Sequence, residues 1–214
     1  MAIVIVNYKI YEKAVGNAAL KLTKSLEKNA KGCNLMVAVS PIDVYNVSVN
    51  TKVKVLCQHI DNVDFGKGTG KITGKSIKEN KAKGVLINHA EDKVDIKEIK
   101  ANVLRCKKLK MISVVCCATL NMAKKVSAFK PNYIAYEVPE LIGTGKSISE
   151  FEPEVVKKFV KIVGKNSIPL CGAGVRTNAD YKAAIKLGTK GVLLASGICL
   201  AKNPGKVLKE LIKK

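Results

Sequence analysis

Residues 168–197, IPLCGAGVRTNADYKAAIKLGTKGVLLASG, contain the pattern that decides the fold. Two short apolar runs, Ile168–Cys171 and Gly191–Leu194, enclose a segment in which Asn178 is predicted to cap a helix and Gly188 to end it. Apolar runs without polar alternation are typical of parallel strands that are covered on both faces. The stretch therefore predicts a strand, a helix and a second parallel strand.

The same alternation runs through the whole chain of 214 residues. Amphipathic segments lie between the apolar runs, as in the spacing of Ala19, Leu22 and Leu26. The six further predicted strands are Ile3–Asn7, Leu35–Val39, Val53–Gln58, Gly84–Asn88, Lys110–Cys116 and Tyr133–Tyr136. Eight strands average roughly 27 residues per unit, which is tight but feasible for a closed (β/α)8 barrel.

A doubly wound open sheet is the alternative architecture. It needs fewer strands, and it commonly has a glycine-rich turn after the first strand. Here the first strand ends in Asn7-Tyr8-Lys9, without glycine. No low-complexity linker or break in charge composition marks a domain boundary. We therefore predict an α/β protein in which residues 1–214 form a single (β/α)8 barrel domain.

Composition excludes several classes of protein. Hydrophobic residues make up 47% of the chain and charged residues 26%, which is too apolar for a disordered protein. No apolar run approaches the ~18 residues of a membrane span. The start, MAIVIVNYKI, lacks the basic segment and the cleavage site of a signal peptide. We expect a cytoplasmic protein without a membrane partner.

The net charge is strongly positive. Thirty-eight Lys and Arg against seventeen Asp and Glu give +21, which would attract nucleic acid or phosphorylated small molecules. The lysines form no block, however, and aromatic residues make up only 5%, so platforms for base stacking are not expected. We interpret the lysines as solvated helix faces and expect no nucleic-acid partner.

The seven cysteines form no CxxC pair, and the chain has only two histidines. This spacing does not fit a zinc site. Most of the cysteines lie in apolar runs, where a reduced thiol behaves as a small buried hydrophobe. We expect reduced cysteines in a reducing compartment and no metal.

Polar residues collect where the predicted strands end. In a (β/α)8 barrel, working residues lie at the carboxyl ends of strands, and the loops after strands seven and eight bind phosphate. The residues at these ends are Asn7, Lys9, His89, Glu91, Glu137, Gly172, Gly174, Ser196 and Gly197. A cation, an imidazole, a carboxylate and a phosphate-binding loop together suit proton abstraction next to a carbonyl group.

Five motifs carry a resemblance to a known family. They are Asn7-Tyr8-Lys9, Asn88-His89-Ala90-Glu91, Tyr136-Glu137, Ile142-Gly143-Thr144-Gly145-Lys146 and Leu194-Ala195-Ser196-Gly197. In order and spacing the chain resembles the triosephosphate isomerases, and most closely their shorter archaeal branch. The resemblance implies a TIM barrel that interconverts glycerone phosphate and glyceraldehyde 3-phosphate in glycolysis and gluconeogenesis, with no cofactor.

The resemblance also implies a role for each catalytic residue. Glu137 matches the base that moves a proton between two substrate carbons, and His89 matches the neutral imidazole that polarises the carbonyl group. Lys9 matches the cation that holds the substrate, with Asn7 beside it, and Glu91 matches a supporting carboxylate. The substrate-binding positions that it implies are Asn7, Tyr8, Lys9, Ile142, Gly143, Gly172, Gly174, Ala195, Ser196 and Gly197, of which Ile142 and Gly143 belong to a lid.

The loop Asp64–Lys71 matches a family loop that reaches into a neighbouring subunit, where Thr69 would lie near that subunit's Asn7 and Lys9. The resemblance therefore implies a homo-oligomer, at least a dimer, and the archaeal branch is often tetrameric. One departure concerns the loop after strand seven. It reads Cys171-Gly172-Ala173-Gly174-Val175, where the better-known branch carries Tyr and Ser side chains.

Two rival functions stay open at this point. A sugar-phosphate epimerase or an amino-sugar isomerase would also use a phosphate-binding barrel, but an epimerase needs metal ligands or a second acid/base group. A basic nucleic-acid-binding protein would cluster its lysines on one face. The joint presence of Lys9, His89 and Glu137 favours the isomerase.

Overall fold

The fold is a closed barrel of eight parallel strands in a computed structural model that describes residues 2–137, 152–172 and 174–213. Neighbours in the barrel are neighbours in sequence, and the first strand pairs with the last. The strands are β1 (Ala2–Asn7), β2 (Cys33–Val39), β3 (Lys54–Cys57), β4 (Gly84–Ile87), β5 (Ile112–Cys117), β6 (Tyr133–Tyr136), β7 (Ile168–Cys171) and β8 (Gly191–Leu194). The prediction of a (β/α)8 barrel is confirmed.

Helices connect the strands on the outside of the barrel. In the described residues they are α1 (Asn17–Asn29), α2 (Val44–Asn50), α3 (Gly74–Glu79), α4 (Ile96–Leu109), α5 (Leu120–Ser127), α6 (Pro153–Val163), α7 (Asn178–Lys186), α8 (Ser196–Cys199) and α9 (Pro204–Leu211), with 3-10 turns at Glu12–Ala14 and Pro41–Asp43. The spacing of Ala19, Leu22 and Leu26 predicted the face of α1 that is buried.

Side-chain hydrogen bonds explain where two predicted boundaries were wrong. Thr177, not Asn178, caps α7: its side chain accepts from the backbone N–H of Asp180, whose carboxylate accepts from the Thr177 backbone in return. Lys110, predicted to begin a strand, instead ends α4 in a left-handed conformation with φ 55°. Its N–H donates to the carbonyl groups of Cys106 and Lys107, so the strand begins only afterwards.

Two apolar clusters stabilise the barrel. One fills its interior with side chains from alternate positions of the strands, among them Ile5, Met36, Leu56 and Val114. The other lies between the strands and the helices. Because both faces of every strand are covered, the strands read as continuous apolar runs in the sequence.

The cysteines belong to these clusters. All seven are free thiols, and every one except Cys33 is buried. Burial raises the pKa of Cys106 and of Cys117 to about 12, so neither is a thiolate at neutral pH. Over the described residues, no helix is long and apolar enough to cross a membrane.

The two ends of the barrel differ in charge. Each of the seven connections that lead from a helix to the next strand carries an exposed lysine and no acidic residue. These lysines are Lys31, Lys52, Lys81, Lys83, Lys110, Lys130, Lys165 and Lys190. Eight of the 38 cationic residues therefore lie at the amino-terminal end of the strands, opposite the loops in which the candidate site residues lie.

Candidate active site

The loops at the carboxyl ends of the strands enclose a cavity. Of the residues that the sequence singled out, it is lined by Asn7, Lys9, His89, Glu137, Gly172, Gly174, Ala195, Ser196 and Gly197. Residues that are far apart in sequence meet there because parallel strands end on the same side of a barrel. In the described part of the chain, no group of three or more His, Cys, Asp or Glu side chains could hold a metal ion.

Glu137 follows β6 directly and is 3% exposed. Its backbone N–H donates to the Cys117 carbonyl group at 2.9 Å. The thiol of Cys116 donates to its carboxylate, while Oε2 has no hydrogen-bond partner among the described residues. Burial raises the pKa of Glu137 to about 7, against the opposing effects of Cys116 and Lys9. A carboxylate with a pKa near neutrality is suited to take up and release a proton.

Gly172 makes room for this carboxylate. Its N–H donates to the Tyr136 carbonyl group at 2.9 Å, which places the start of the β7 loop beside the end of β6. A Cβ atom on residue 172 would lie 2.5 Å from Cγ of Glu137. Only glycine leaves space for the glutamate side chain in its observed position.

His89 lies at the end of β4, next to a turn held by Asn88. Asn88 adopts φ 59°, donates to the Cys116 carbonyl group at 2.9 Å and accepts from the Val94 N–H at 3.2 Å. The backbone N–H of Glu91 donates to Nδ1 of His89 at 3.1 Å. In the neutral ring the proton therefore lies on Nε2, which is 3.8 Å from Oε1 of Glu137.

The environment keeps this imidazole neutral. His89 is 6% exposed, and burial lowers its pKa below the usual range. The positive charge of Lys9 lowers the pKa of His89 further, whereas Glu91 raises it. A neutral imidazole can donate a hydrogen bond from Nε2 to a substrate oxygen.

Lys9 completes the group from the loop after β1. Its Nζ is 2.5 Å from Oε1 of Glu91, so the ammonium group is held toward the β4 loop. The backbone N–H of Lys9 donates to Oδ1 of Asn7 at 3.1 Å. Gln58 binds the same segment, because its Nε2 donates to Oδ1 of Asn7 at 3.0 Å and to the Lys9 carbonyl group at 3.2 Å.

Some sequence-predicted residues do not share the cavity. The Tyr8 side chain is fully buried, and its hydroxyl is 2.8 Å from Oγ1 of Thr23. It points away from Asn7, because successive side chains of an extended chain alternate in direction. The structure thus corrects the expectation that Tyr8 contacts substrate through its side chain. Thr69 lies on an exposed loop away from the cavity, and Ile142 and Gly143 lie outside the described residues.

Two residues of the site were missed from the sequence. Gln58, which is the chain's only glutamine, ends the predicted strand Val53–Gln58, so the strand-end rule applied to Asn7 could have found it. Arg176, one of only two arginines, lines the cavity at the end of the β7 loop. The sequence signal that could have pointed to Arg176 is that arginine is rare in this lysine-rich chain.

Comparison with known proteins gives one consistent result. The family model described as "Triosephosphate isomerase" matches residues 2–214. The triosephosphate isomerase of Methanocaldococcus jannaschii is 41% identical, over 99% of this chain and 99% of its own length. Those of Methanobacterium bryantii and Archaeoglobus fulgidus are 43% and 41% identical, over 99% of this chain and 96% and 97% of their own lengths.

Proposed function

Because the chain belongs to the triosephosphate isomerase family, its reaction is the interconversion of glycerone phosphate and glyceraldehyde 3-phosphate, and we propose that Glu137, His89 and Lys9 carry it out. The reaction is a step of glycolysis, and its substrate is a triose phosphate. We assign the reverse direction to gluconeogenesis. The observation that carries the assignment of residues is the placement of a buried carboxylate 3.8 Å from a buried imidazole in one cavity.

In the proposed mechanism, Glu137 is the base. Its carboxylate takes a proton from the carbon next to the carbonyl group, which leaves an enediolate, and returns the proton to the neighbouring carbon. The two steps need a group that is a base in one and an acid in the other, and a pKa of about 7 meets both needs near neutral pH. The space that Gly172 leaves allows the carboxylate to lie at the edge of the cavity.

His89 and Lys9 stabilise the charge that develops on the substrate oxygens. Nε2 of His89 donates a hydrogen bond to the carbonyl oxygen, and the ammonium group of Lys9 supplies positive charge while Asn7 positions its backbone. Glu91 keeps both groups in place, through its carboxylate to Lys9 and through its N–H to His89. Charge stabilisation of this kind requires no metal in the proposed reaction.

The phosphate group is assigned to the loops after β7 and β8. Backbone N–H groups of Gly174, Ala195, Ser196 and Gly197 form the proposed cradle, and Gly172, whose own N–H binds Tyr136, lines the same cavity beside them. We propose that Ile142 and Gly143 close over the bound phosphate. A covered enediolate phosphate loses less of its phosphate to elimination in water.

A coupled assay tests the proposed function directly. Purified protein with glyceraldehyde 3-phosphate is expected to produce glycerone phosphate, which a dehydrogenase reduces with loss of NADH absorbance. Fast turnover supports the proposal. Absence of turnover, in a protein whose circular dichroism and melting transition show that it is folded, would contradict it.

The acidity of Glu137 predicts a pH dependence of stability. Its pKa rises from 4.5 to about 7 on folding, so the folded state holds a proton that the unfolded state releases between these values. The free energy of unfolding should therefore fall by about 3 kcal/mol as pH increases from 4.5 to beyond 7. Urea unfolding of the parent and of Glu137→Gln across pH 4–9 measures this. If the free energy of unfolding changed with pH in the same way in both proteins, the raised pKa of Glu137 would be contradicted.

We also propose a homo-oligomer, at least a dimer, with a tetramer as the larger assembly, in which each 214-residue chain is one domain. We place it in the cytoplasm and assign it no nucleic-acid or membrane partner. The proposal of an oligomer is supported by a second cavity beside the active site, which is lined by Lys9, Ile10, Gln58 and Glu91 among others. Ile10 is 85% exposed on its rim, and it would be buried by the loop of a second subunit that carries Thr69.

Substitution of Thr69 tests this assembly. Thr69→Arg should convert the oligomer to smaller species, because a side chain much longer than threonine would have to fit into the proposed contact with this cavity. Light scattering gives the mass, and the coupled assay should show lower activity at low protein concentration. Asn121→Arg, at an exposed position of α5, is the control. An unchanged mass for Thr69→Arg would rule out insertion of this loop.

A further inference from the structure

We propose that the guanidinium group of Arg176 binds the phosphate of the substrate, in addition to the backbone cradle of the β7 and β8 loops. The inference rests on the proposed function, because it assumes that the phosphate lies between these loops. It assigns a side-chain ligand to a loop that lacks the Tyr and Ser side chains of the better-known branch of the family.

The position of Arg176 in the cavity is the first observation. It lines the cavity together with Gly174, Ser196 and Gly197, which are residues assigned to the phosphate. Among the described residues that line this cavity, Lys9 and Arg176 are the two with cationic side chains. Lys9 is held by Glu91 on the side of the β4 loop, and Arg176 lies on the side of the β7 and β8 loops.

Contacts with neighbouring residues fix the positions of the backbone and of the aliphatic stem of Arg176. Its N–H donates to Oδ2 of Asp180 at 2.9 Å, and the same oxygen accepts from the N–H of Thr177 at 2.8 Å, so the residue is tied to the first turn of α7. A Cβ atom on residue 197 would lie 3.5 Å from Cγ of Arg176. The aliphatic stem of Arg176 therefore lies beside Gly197, at the edge of the proposed cradle.

The lysines of the helix-to-strand connections do not replace this group. The lysines of the helix-to-strand connections lie at the other end of strands four to seven residues long, about 10 Å or more from the cavity. At physiological ionic strength the screening length is about 8 Å, so a dianion at the cavity is little affected by them. A nearby guanidinium group, which can donate two parallel hydrogen bonds to phosphate oxygens, acts at short range.

The test compares Arg176→Gln and Arg176→Lys with the parent. Loss of a charge-assisted hydrogen bond should raise KM for glyceraldehyde 3-phosphate, and Ki for inorganic phosphate as a competitive inhibitor, by about 10- to 100-fold in Arg176→Gln. In Arg176→Lys both KM and Ki should lie between the values of the parent and of Arg176→Gln, because lysine keeps the charge but lacks the paired donors. Lys182→Gln removes one charge from α7 outside the cavity and should change neither constant by more than about twofold.

A substrate without phosphate separates binding from structure. Isomerisation of D-glyceraldehyde, followed by NMR at high enzyme concentration, should be equal in the parent and in Arg176→Gln, since this substrate has no group for the arginine to hold. If Arg176→Gln lost activity equally toward D-glyceraldehyde and glyceraldehyde 3-phosphate, Arg176 would have a structural role and the inference would be overturned. Unchanged KM and Ki in Arg176→Gln would overturn it as well.

The same data separate this inference from the proposed function. An inactive parent that still binds inorganic phosphate more tightly than Arg176→Gln would refute the isomerase proposal and retain the phosphate ligand. An active parent with an unaltered Arg176→Gln variant would retain the isomerase and refute the ligand.

Discussion

Glu137→Gln is expected to lower kcat by about 10²- to 10⁴-fold, because it removes the group that accepts the substrate proton while it preserves the size of the side chain. The amide fits in the space that Gly172 leaves and removes the cost of burying a charge. The variant should therefore fold at least as stably as the parent near pH 8. KM should change little, since the carboxylate acts on the reacting carbon and not on the phosphate.

Steady-state kinetics in the coupled assay measure this effect. Glu154→Gln is the matched control: it makes the same chemical change on α6, where Glu154 pairs with Lys157 at an exposed site. It should keep the parent's kcat. If Glu137→Gln kept it too, another group would have to be the base, and the proposed mechanism would fail.

His89→Gln is expected to lower kcat by about 10²- to 10³-fold, the usual cost of losing a donor aimed at a developing negative charge. A glutamine amide can donate a hydrogen bond, but no backbone contact equivalent to the one from the Glu91 N–H to Nδ1 would orient it. An amide also cannot exchange a proton with a substrate oxygen at neutral pH. The loss should appear in kcat more than in KM.

The second histidine provides the control for this prediction. His59 pairs with Asp92 at 2.6 Å and with Asp61 at 3.3 Å, and it does not line the active-site cavity. His59→Gln should retain most of the parent's kcat when the two variants are compared at a protein concentration that keeps them assembled. Similar kcat values for His89→Gln and the parent would remove His89 from its assigned role.

Much of the fold follows from local patterns. The predicted strands agree with the observed ones to within two residues at each end, and Tyr133–Tyr136, Ile168–Cys171 and Gly191–Leu194 agree at both ends. Continuous apolar runs separated by amphipathic segments predict parallel strands that are covered by helices on both faces. The boundaries at Thr177 and Lys110 were wrong because single hydrogen bonds to side chains and carbonyl groups decide where a helix begins and ends.

Part of the lining of the cavity was also predictable. Asn7, Lys9, His89 and Glu137 all follow predicted strands, and a barrel brings the ends of its strands together. Tyr8 was assigned to the site by the same motif and lies elsewhere, because a motif gives the position of a residue but not the direction of its side chain. Two members were missed: Gln58, which the strand-end rule could have found, and Arg176, whose place in the cavity only the structure shows.

From the sequence alone one can derive the barrel, the order of its elements and the end at which the site lies, because hydrophobic periodicity and chain connectivity are local properties. Only the tertiary structure decides the acidity of Glu137, the need for glycine at residue 172 and the distance of the helix-to-strand lysines from the cavity. These depend on distances between residues that are remote in the chain. Desolvation and close packing arise only when the barrel closes around them.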